Sequence, residues 1–439
     1  MTGTQEPESV STKRQRLARL GEAFPQRSFI SLGHYLDLEW MEEAYRRTRK
    51  SGAVGIDGQT ASAYEADLEE NLRSLLERVK SGNYRAPPVR RTYIPKGDGK
   101  LRPIGIPTLE DKVLQRAVAM VLEPLYEPLF DEGSYGFRPG RSAHQALSRL
   151  WSDLSEQGGG WVIDLDIKSF FDTLDHGKLR TMLQQRVRDG VLTRLIGKWL
   201  NAGVMEAGQL WHSDLGTPQG GVVSPLLANI YLHEVLDEWV AREVQPRLQG
   251  GVRLVRYADD AVLVLRNRRD AERLMAVLPQ RFGRYGLTLH PDKTRLLRFK
   301  PAADARERES FQFLGFTHVW GRSRRGRWVI KRKTAKDRFR RTLKRVSQWC
   351  QKHRHRRVPE QHAYLSAALR GHFAYFGIRG NAAALGRLRY QAERIWIKWL
   401  RRRSQRHRLP WERARELLKR FPLPAARLAP HATIPLASL

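Results

Sequence analysis

Two short stretches place acids where a strand pattern calls for apolar residues. In Val162-Ile163-Asp164-Leu165-Asp166-Ile167-Lys168, strand alternation puts Asp164 and Asp166 on one face and Ile163 and Leu165 on the other. In Arg256-Tyr257-Ala258-Asp259-Asp260-Ala261-Val262-Leu263-Val264, two adjacent acids fall at a tight hairpin turn between apolar runs. Carboxylates in such surroundings are costly unless something positive compensates them. Arg or Lys could do so. So could a hard divalent cation such as Mg²⁺, which is bound through a few carboxylates plus substrate phosphates. Two such ions, about 4 Å apart, can activate an attacking 3′-hydroxyl and stabilise a leaving pyrophosphate. An isolated Asp-Asp is ordinary turn chemistry. Here the Tyr before the pair, the β-rich runs on both sides and the acidic strand upstream weigh toward a metal site.

These acids need a frame, and the chain alternates strand and helix patterns around them. Residues 1–35 are polar and read as a loosely held lead-in. From Leu36 to about Lys80 the spacing is helical, with Trp40 and Ala44, then Leu68, Leu72, Leu75 and Leu76. Val89–Ile94 and Arg102–Ile106 read as strands joined by a hairpin turn at Lys96-Gly97-Asp98-Gly99-Lys100. Helices are expected over 109–130, 192–200, 222–240 and 270–285. Strands are expected at 161–165, 254–257 and 261–265, with a last one at 311–316. After Gly326 the pattern is helical to about Phe421. The fold class expected is α+β followed by a basic helical domain.

The chain has 439 residues, 41% hydrophobic, enough for two or three packed domains. It carries 79 Lys+Arg against 46 Asp+Glu, a net charge of +33, which implies a polyanionic partner. The surplus is uneven: residues 321–439 hold 33 Lys and Arg against 5 Asp and Glu, and the first 320 residues hold 46 against 41. Runs such as Lys331-Arg332-Lys333 and Arg401-Arg402-Arg403 would repel one another without phosphates to neutralise them. The interleaved aromatics there, from Trp328 to Trp411, read as the core of a helical bundle. Cys350 is the single cysteine, which removes internal disulfides and Cys-based zinc sites and fits a reducing cytosolic setting. No apolar run approaches the ~18 residues of a membrane span, and the first residues lack the apolar core of a secretory signal.

Tyr257-Ala258-Asp259-Asp260 resembles the YADD signature of reverse transcriptases, specifically those encoded by bacterial group II introns. The resemblance runs in the family's order from about Trp40 to about Phe421: GIDG at 55–58, YIPKGDGKLRPIGIP at 93–107, SYGFRPGRS at 134–142, DIKSFFDTLDH at 166–176, GTPQGGVVSPLLANIYL at 216–232, YADD at 257–260, HPDKTRL at 290–296 and FLGF at 313–316. LRGHFAYFGI at 369–378 is similar to the family's thumb, or maturase, region. The resemblance implies a right-hand polymerase: an N-terminal segment over 1–85, fingers over 86–160 and a palm with an antiparallel sheet over 161–320. An all-helical thumb (maturase) domain would follow over 321–400, with a basic tail over 401–439. Many members of the family continue into an HNH endonuclease domain, often with cysteine pairs; this sequence departs from them in showing neither, so second-strand DNA cleavage is not expected of it.

Residue by residue, the resemblance makes Asp166 and Asp259 the metal-binding catalytic aspartates, with Asp260 beside them. Asp164 lies outside the family's catalytic set, which implies a structural role. Ile167 would offer its backbone at the metal site and to the incoming triphosphate. Phe171 would be the steric gate that crowds a ribose 2′-hydroxyl, with Phe170 in the core. Lys96 and Arg102 would contact the triphosphate, Gln219 would lie by the nascent base pair, and Lys293 would stand near the leaving pyrophosphate as a general acid. Leu314-Gly315 would form the primer grip. The cofactor would be two Mg²⁺ ions, with Mn²⁺ as a substitute.

The activity implied is RNA-directed DNA synthesis in the bacterial cytosol, taking an RNA template, a DNA or RNA primer and dNTPs. Binding of structured group II intron RNA, to assist splicing and retrohoming, would accompany it. Three alternatives stay open on the residues alone. An RNA-dependent RNA polymerase shares the metal chemistry, and Phe171 argues against it. A splicing factor that binds RNA without catalysis would have no use for the acids. A domesticated relative in antiphage defence, repair or CRISPR adaptation would look the same.

Overall fold

The computed structural model describes residues 9–95, 101–206, 209–211, 220–304, 306–404 and 409–428. Its contacts divide the chain into two compact units: residues 1–142 with 165–296, and residues 143–164 with 297–439.

The first unit opens with helices, and the first of them is unexpected from the sequence. Helix α1 (Val10–Ala23) is capped by the Ser9 hydroxyl, where a loose lead-in was the expectation. Its apolar stripe is sparse, with only Val10, Leu17 and Gly21 buried, so periodicity hides it. Gly21 lets the helix approach closely: a Cβ there would lie 2.7 Å from the Pro124 carbonyl oxygen. Helices α2 (Leu38–Arg47), α3 (Ala61–Glu65) and α4 (Leu68–Lys80) follow as the spacing predicts. Strands β1 (Val89–Pro95) and β2 (Leu101–Ile106) pair antiparallel, with Ile94 opposite Arg102. The expected turn between them lies outside the described residues. Helix α5 (Leu109–Tyr126), capped by Thr108, is buried over most of its surface.

Helix α6 (Ala143–Glu156) and most of β3 (Gly160–Asp166) count with the second unit. The chain re-enters the first unit at Leu165. It continues through α7 (Phe170–Thr173), α8 (His176–Arg186), α9 (Gly190–Leu200) and the short strands β4 (Val204–Glu206) and β5 (Gln209–Trp211). One sheet runs β2-β1-β4-β5, with β1 and β4 parallel. The helix expected over 222–240 is α10 (Ser224–Leu232) continued by π-helical turns at His233–Glu238 and Val240–Val244. Strands β6 (Val252–Tyr257) and β7 (Asp260–Leu265) form the expected hairpin, followed by α11 (Arg268–Arg284) and β8 (Arg295–Phe299). The second sheet runs β6-β7-β3-β8.

The second unit corrects two sequence expectations. The last strand over 311–316 is two strands, β9 (Ser310–Phe313) and β10 (Phe316–Arg322), and β11 (Trp328–Thr334) stands where the pattern reads as helix. The three form an antiparallel meander. In β11 the inward positions are Ile330, Arg332 and Thr334, and a charged residue in that series masks its period of two. Arg332 is therefore buried rather than presented to phosphates; its guanidinium donates to the Leu147 carbonyl (3.3 Å) and faces the Trp151 ring. Helices α12 (Lys336–Lys352), α13 (Val358–Phe376), α14 (Ala382–Arg401) and α15 (Trp411–Arg420) complete the unit. Their core holds Leu365, Leu369, Leu388, Trp396 and Cys350, whose thiol burial pushes up to about 12. The aromatics split: Trp396 and Phe373 are buried, whereas Tyr364 and Trp411 are exposed.

Among the described residues, no helix is long and apolar enough to cross a membrane.

Candidate active site

The β6–β7 hairpin puts Tyr257 opposite Asp260 and leaves Ala258-Asp259 as a two-residue turn. Ala258 has φ 58°, the left-handed region that a non-glycine residue occupies only when its surroundings enforce it. Two enforcing contacts are present. Arg256 donates from Nη1 to the Ala258 carbonyl at 3.0 Å. Behind the turn lies Gly136, where a Cβ would sit 2.2 Å from the Ala258 nitrogen. The segment holding Gly136 runs along β6, with Arg256 N–H donating to the Gly133 carbonyl and Tyr135 N–H to the Arg256 carbonyl, both at 2.8 Å. The SYGF stretch is thus a backbone brace for the YADD turn.

Arg256 is itself fixed from behind. It is buried, and its Nε donates to Asp237 Oδ1 at 2.8 Å while Nη2 meets Asp237 Oδ2. Nη1 also donates to Asn229 Oδ1 at 3.0 Å, and Asn229 Nδ2 donates to the Gly136 carbonyl at 2.7 Å. Burial alone would push Asp237 up, but Arg256 and His233 hold its carboxyl below the ordinary range. Sequence reasoning missed Arg256, Asp237, Asn229 and Gly136 as site supports. The available signals are a charge inside an apolar strand and an acid inside an apolar helix.

Asp259 carries the electrostatic signature of the site. Burial first, and then the negative charge of Asp166, push its pKa up, against the pull of a backbone N–H, Arg102 and Arg256. Asp166, on the last position of β3, is thereby within electrostatic reach of Asp259, as is Arg102 on β2. Asp260 begins β7 and is half-buried, like Asp166 and Asp164.

The strand end is also held from the other side. His290 N–H donates to the Asp166 carbonyl and Lys168 N–H to the Thr288 carbonyl, both at 2.8 Å, around an antiparallel bridge between Ile167 and Leu289. That bridge consumes neither the N–H nor the carbonyl of Ile167. Lys293 projects from the next turn and places Nζ 3.2 Å from Asp166 Oδ2. Phe170 is buried against Tyr231, while Phe171 is half-buried and meets Phe170 edge-on at 5.2 Å.

Lys96 and Gln219 lie outside the described residues. The loop that follows Gln219 is anchored: Gly220 passes so close to β2 that a Cβ would lie 2.3 Å from the Gly105 carbonyl. Gln115 then accepts from the Val222 N–H at 2.7 Å. Gln115 donates in turn to Asp111, which burial pushes up to about 6 and which also accepts from Trp199 Nε1 at 2.8 Å. Leu314-Gly315, in the second unit, forms the β9–β10 turn with φ of 50° and 78°, and Tyr375 donates to the Leu314 carbonyl at 3.0 Å.

Among the described residues, no group of three or more His, Cys, Asp or Glu side chains converges as a metal cage. The donors present are hard oxygens in a site where one carboxylate raises the pKa of another. That fits a cation such as Mg²⁺, which takes one or two carboxylates and draws its remaining ligands from substrate phosphates and water.

Residues 94–318 match the family described as reverse transcriptase (RNA-dependent DNA polymerase). The chain belongs to the reverse transcriptase family. It is 36% identical over 324 residues to protein YkfC of Escherichia coli K12, covering 66% of this chain and 82% of that protein. It is 44% identical over 187 residues to the group II intron-encoded protein LtrA of Lactococcus lactis, covering 42% of this chain and 30% of LtrA. It is also 28% identical over 196 residues to nuclear intron maturase 4 of Arabidopsis thaliana, covering 44% of this chain and 23% of that protein. These relatives place this reverse transcriptase with the group II intron-encoded branch. As a reverse transcriptase it is an RNA-directed DNA polymerase, acting with an RNA template, a nucleic-acid primer and divalent metal ions. The described fold is mixed α and β with antiparallel strand pairing apart from β1–β4, as the sequence predicts for such a polymerase domain.

Proposed function

We propose that this reverse transcriptase extends a primer on an RNA template by two-metal nucleotidyl transfer in the cytosol, and that it binds group II intron RNA to assist its splicing and retrohoming. The observation that carries the reading is the convergence of Asp166, Asp259, Arg102 and Lys293. Two carboxylates, one at the end of β3 and one in the β6–β7 turn, lie within electrostatic reach, and each has a cation near it. Asp166, Asp259 and the Ile167 carbonyl would hold two Mg²⁺ ions, with Asp260 beside them. When bound, these supply Lewis-acid stabilisation of the attacking and leaving oxygens.

The protein groups do the rest. Arg102, together with Lys96, would orient the triphosphate through charge-assisted hydrogen bonds. Lys293 can exchange its contact with Asp166 for the leaving pyrophosphate and deliver a proton there. Phe171, beside a core Phe170, has the bulk and partial exposure to crowd a 2′-hydroxyl. Gln219 would lie against the nascent base pair, on a loop whose far end Gln115 fixes. Leu314-Gly315 would hold the primer end. In this reading the fingers would be β1–β2, the palm the surroundings of β6–β7 and the thumb α12–α14.

Primer extension on an RNA template tests the reading. Asp259→Asn should reduce dNTP incorporation by about a thousandfold, an estimate of several kcal/mol of lost transition-state stabilisation. RNA binding should stay near its original level. Joint loss of binding and synthesis would make Asp259 structural. Splicing of a flanking intron RNA, added to the protein in a purified reaction, tests the second half.

A further inference from the structure

The near-neutral first unit contains a concentration of cations away from the catalytic carboxylates. A groove of about 1010 Å³ opens between the 85–88 segment and helices α8 and α9. Its lining includes Arg85, Arg180, Arg194 and Lys198 and, among the described residues, no acidic side chain. Arg85, Arg180 and Arg194 are exposed. None of the three has a hydrogen-bond or ion-pair partner among the described residues. Lys198 differs, because its Nζ is spent on the Gly82 carbonyl (2.9 Å) and on that of Tyr84.

Unpaired guanidiniums gathered on one concave surface repel one another, so the arrangement is tolerated at a cost that an anion would relieve. The other polar lining comes from Gln184 and Asn201, neutral groups suited to sugar hydroxyls and phosphate oxygens, and from Thr193, whose hydroxyl donates to the Asp189 carbonyl at 2.7 Å and is left to accept from a sugar hydroxyl. Among the described residues, no aromatic side chain lines the groove. A single strand is gripped by stacking its bases on aromatic rings, and this groove offers none. A helical RNA segment is held instead through phosphates and 2′-hydroxyls, read by shape.

We infer that this groove is a second RNA-binding site, which grips the sugar-phosphate backbone of a folded, double-helical RNA segment without reading its sequence. The inference rests on the reading of the chain as an RNA-binding polymerase, but it concerns a surface distinct from the metal site. Arg85, Arg180 and Arg194 supply the charge. Gln184, Thr193 and Asn201 supply the contacts that favour RNA over DNA.

The test uses the full chain carrying R85Q, R180Q and R194Q together. All three side chains are exposed, so folding should be retained and is checked by thermal melting. Binding of a labelled RNA hairpin is followed by anisotropy across a salt series. Loss of three phosphate contacts should weaken binding at least tenfold at low salt and flatten the slope of log affinity against log salt by about 2–3. Extension of a short, unstructured primer–template by the same variant should stay within twofold of the original chain. Unchanged hairpin affinity and slope would overturn the inference. So would an equal loss for duplex DNA, or a loss of extension in proportion to hairpin binding, which would make the groove part of the template–primer track. Failure of the original chain to extend any primer would strike the polymerase reading alone, because the hairpin measurement involves no synthesis.

Discussion

Arg256 holds Asp237 through two nitrogens and reaches with the third to the carbonyl of Ala258, the residue whose left-handed backbone aims Asp259. A buried ion pair is weak evidence for stability, but breaking one strands an uncompensated charge, at roughly 3–5 kcal/mol. Arg256→Ala should therefore lower the melting temperature sharply. Arg256→Lys keeps the charge yet loses the fork that serves Asp237 and Ala258 at once. It should melt closer to the original chain while primer extension falls at least tenfold. Extension that tracks melting in both variants would remove any special link between this pair and the turn.

Gly136 presents backbone alone to the same turn. Alanine there would bring a Cβ within 2.2 Å of the Ala258 nitrogen, and backbone cannot swing away as a side chain can. Overpacking of this kind costs about 1–3 kcal/mol. Gly136→Ala should lower stability by that amount and reduce extension further than the stability loss explains. Gly140, with open space around it but φ of 70°, is the control: Gly140→Ala should lower stability through backbone strain and leave the rate per folded molecule unchanged.

His318 and His372 are buried in the second unit, and burial pulls their pKa values down to about 3 and about 4. Both are neutral in the fold, whereas the unfolded chain binds protons at about 6.5. Their contribution to stability is fully present above pH 6.5 and is lost as pH falls toward 4 and then 3. His318 stacks on Phe311 at 4.9 Å, so His318→Phe preserves the contact. Between pH 7 and pH 4.5 the variant should lose less stability than the original chain, by on the order of 2–3 kcal/mol. Parallel melting curves across that range would contradict this.

Lys336, Arg340 and Lys344 recur every fourth residue along α12, are exposed, and have no partner among the described residues. If the basic second unit grips nucleic acid, replacing all three with Gln should flatten the salt dependence of template–primer binding by about 2–3 in slope. Substitution is the right instrument here. Cutting the chain at 321 would sever β10 and remove its partner β11. An unchanged slope would move the phosphate contacts elsewhere.

The strands and helices around the acids were legible because their periods are regular. The β6–β7 hairpin, β1–β2, α5 and α11 stand where apolar spacing puts them. What stayed hidden has a physical reason in each case. Helix α1 buries too narrow a stripe to register. Strand β11 carries Arg332 at an inward position, and that charge erases the alternation. The convergence of Asp166 with Asp259 was readable from two acidic strands, but their support was not. Arg256, Asp237 and Gly136 act across long sequence separations, and no local pattern marks a backbone brace or a buried fork.

The second unit is built from segments far apart in the chain, and this has a consequence during synthesis. Trp151 on α6 donates to the Ile330 carbonyl on β11, a partner 179 residues later. At roughly 5–20 residues per second, α6 leaves the ribosome about 10–40 s before the strand it packs on exists. Throughout that interval α6, whose Leu147, Leu150 and Leu154 are fully buried in the finished molecule, lacks this partner strand. A nascent chain arrested anywhere in that window presents a sticky helix in the middle of its sequence. Dependence on a chaperone should therefore peak mid-translation and fall once residue 334 has emerged.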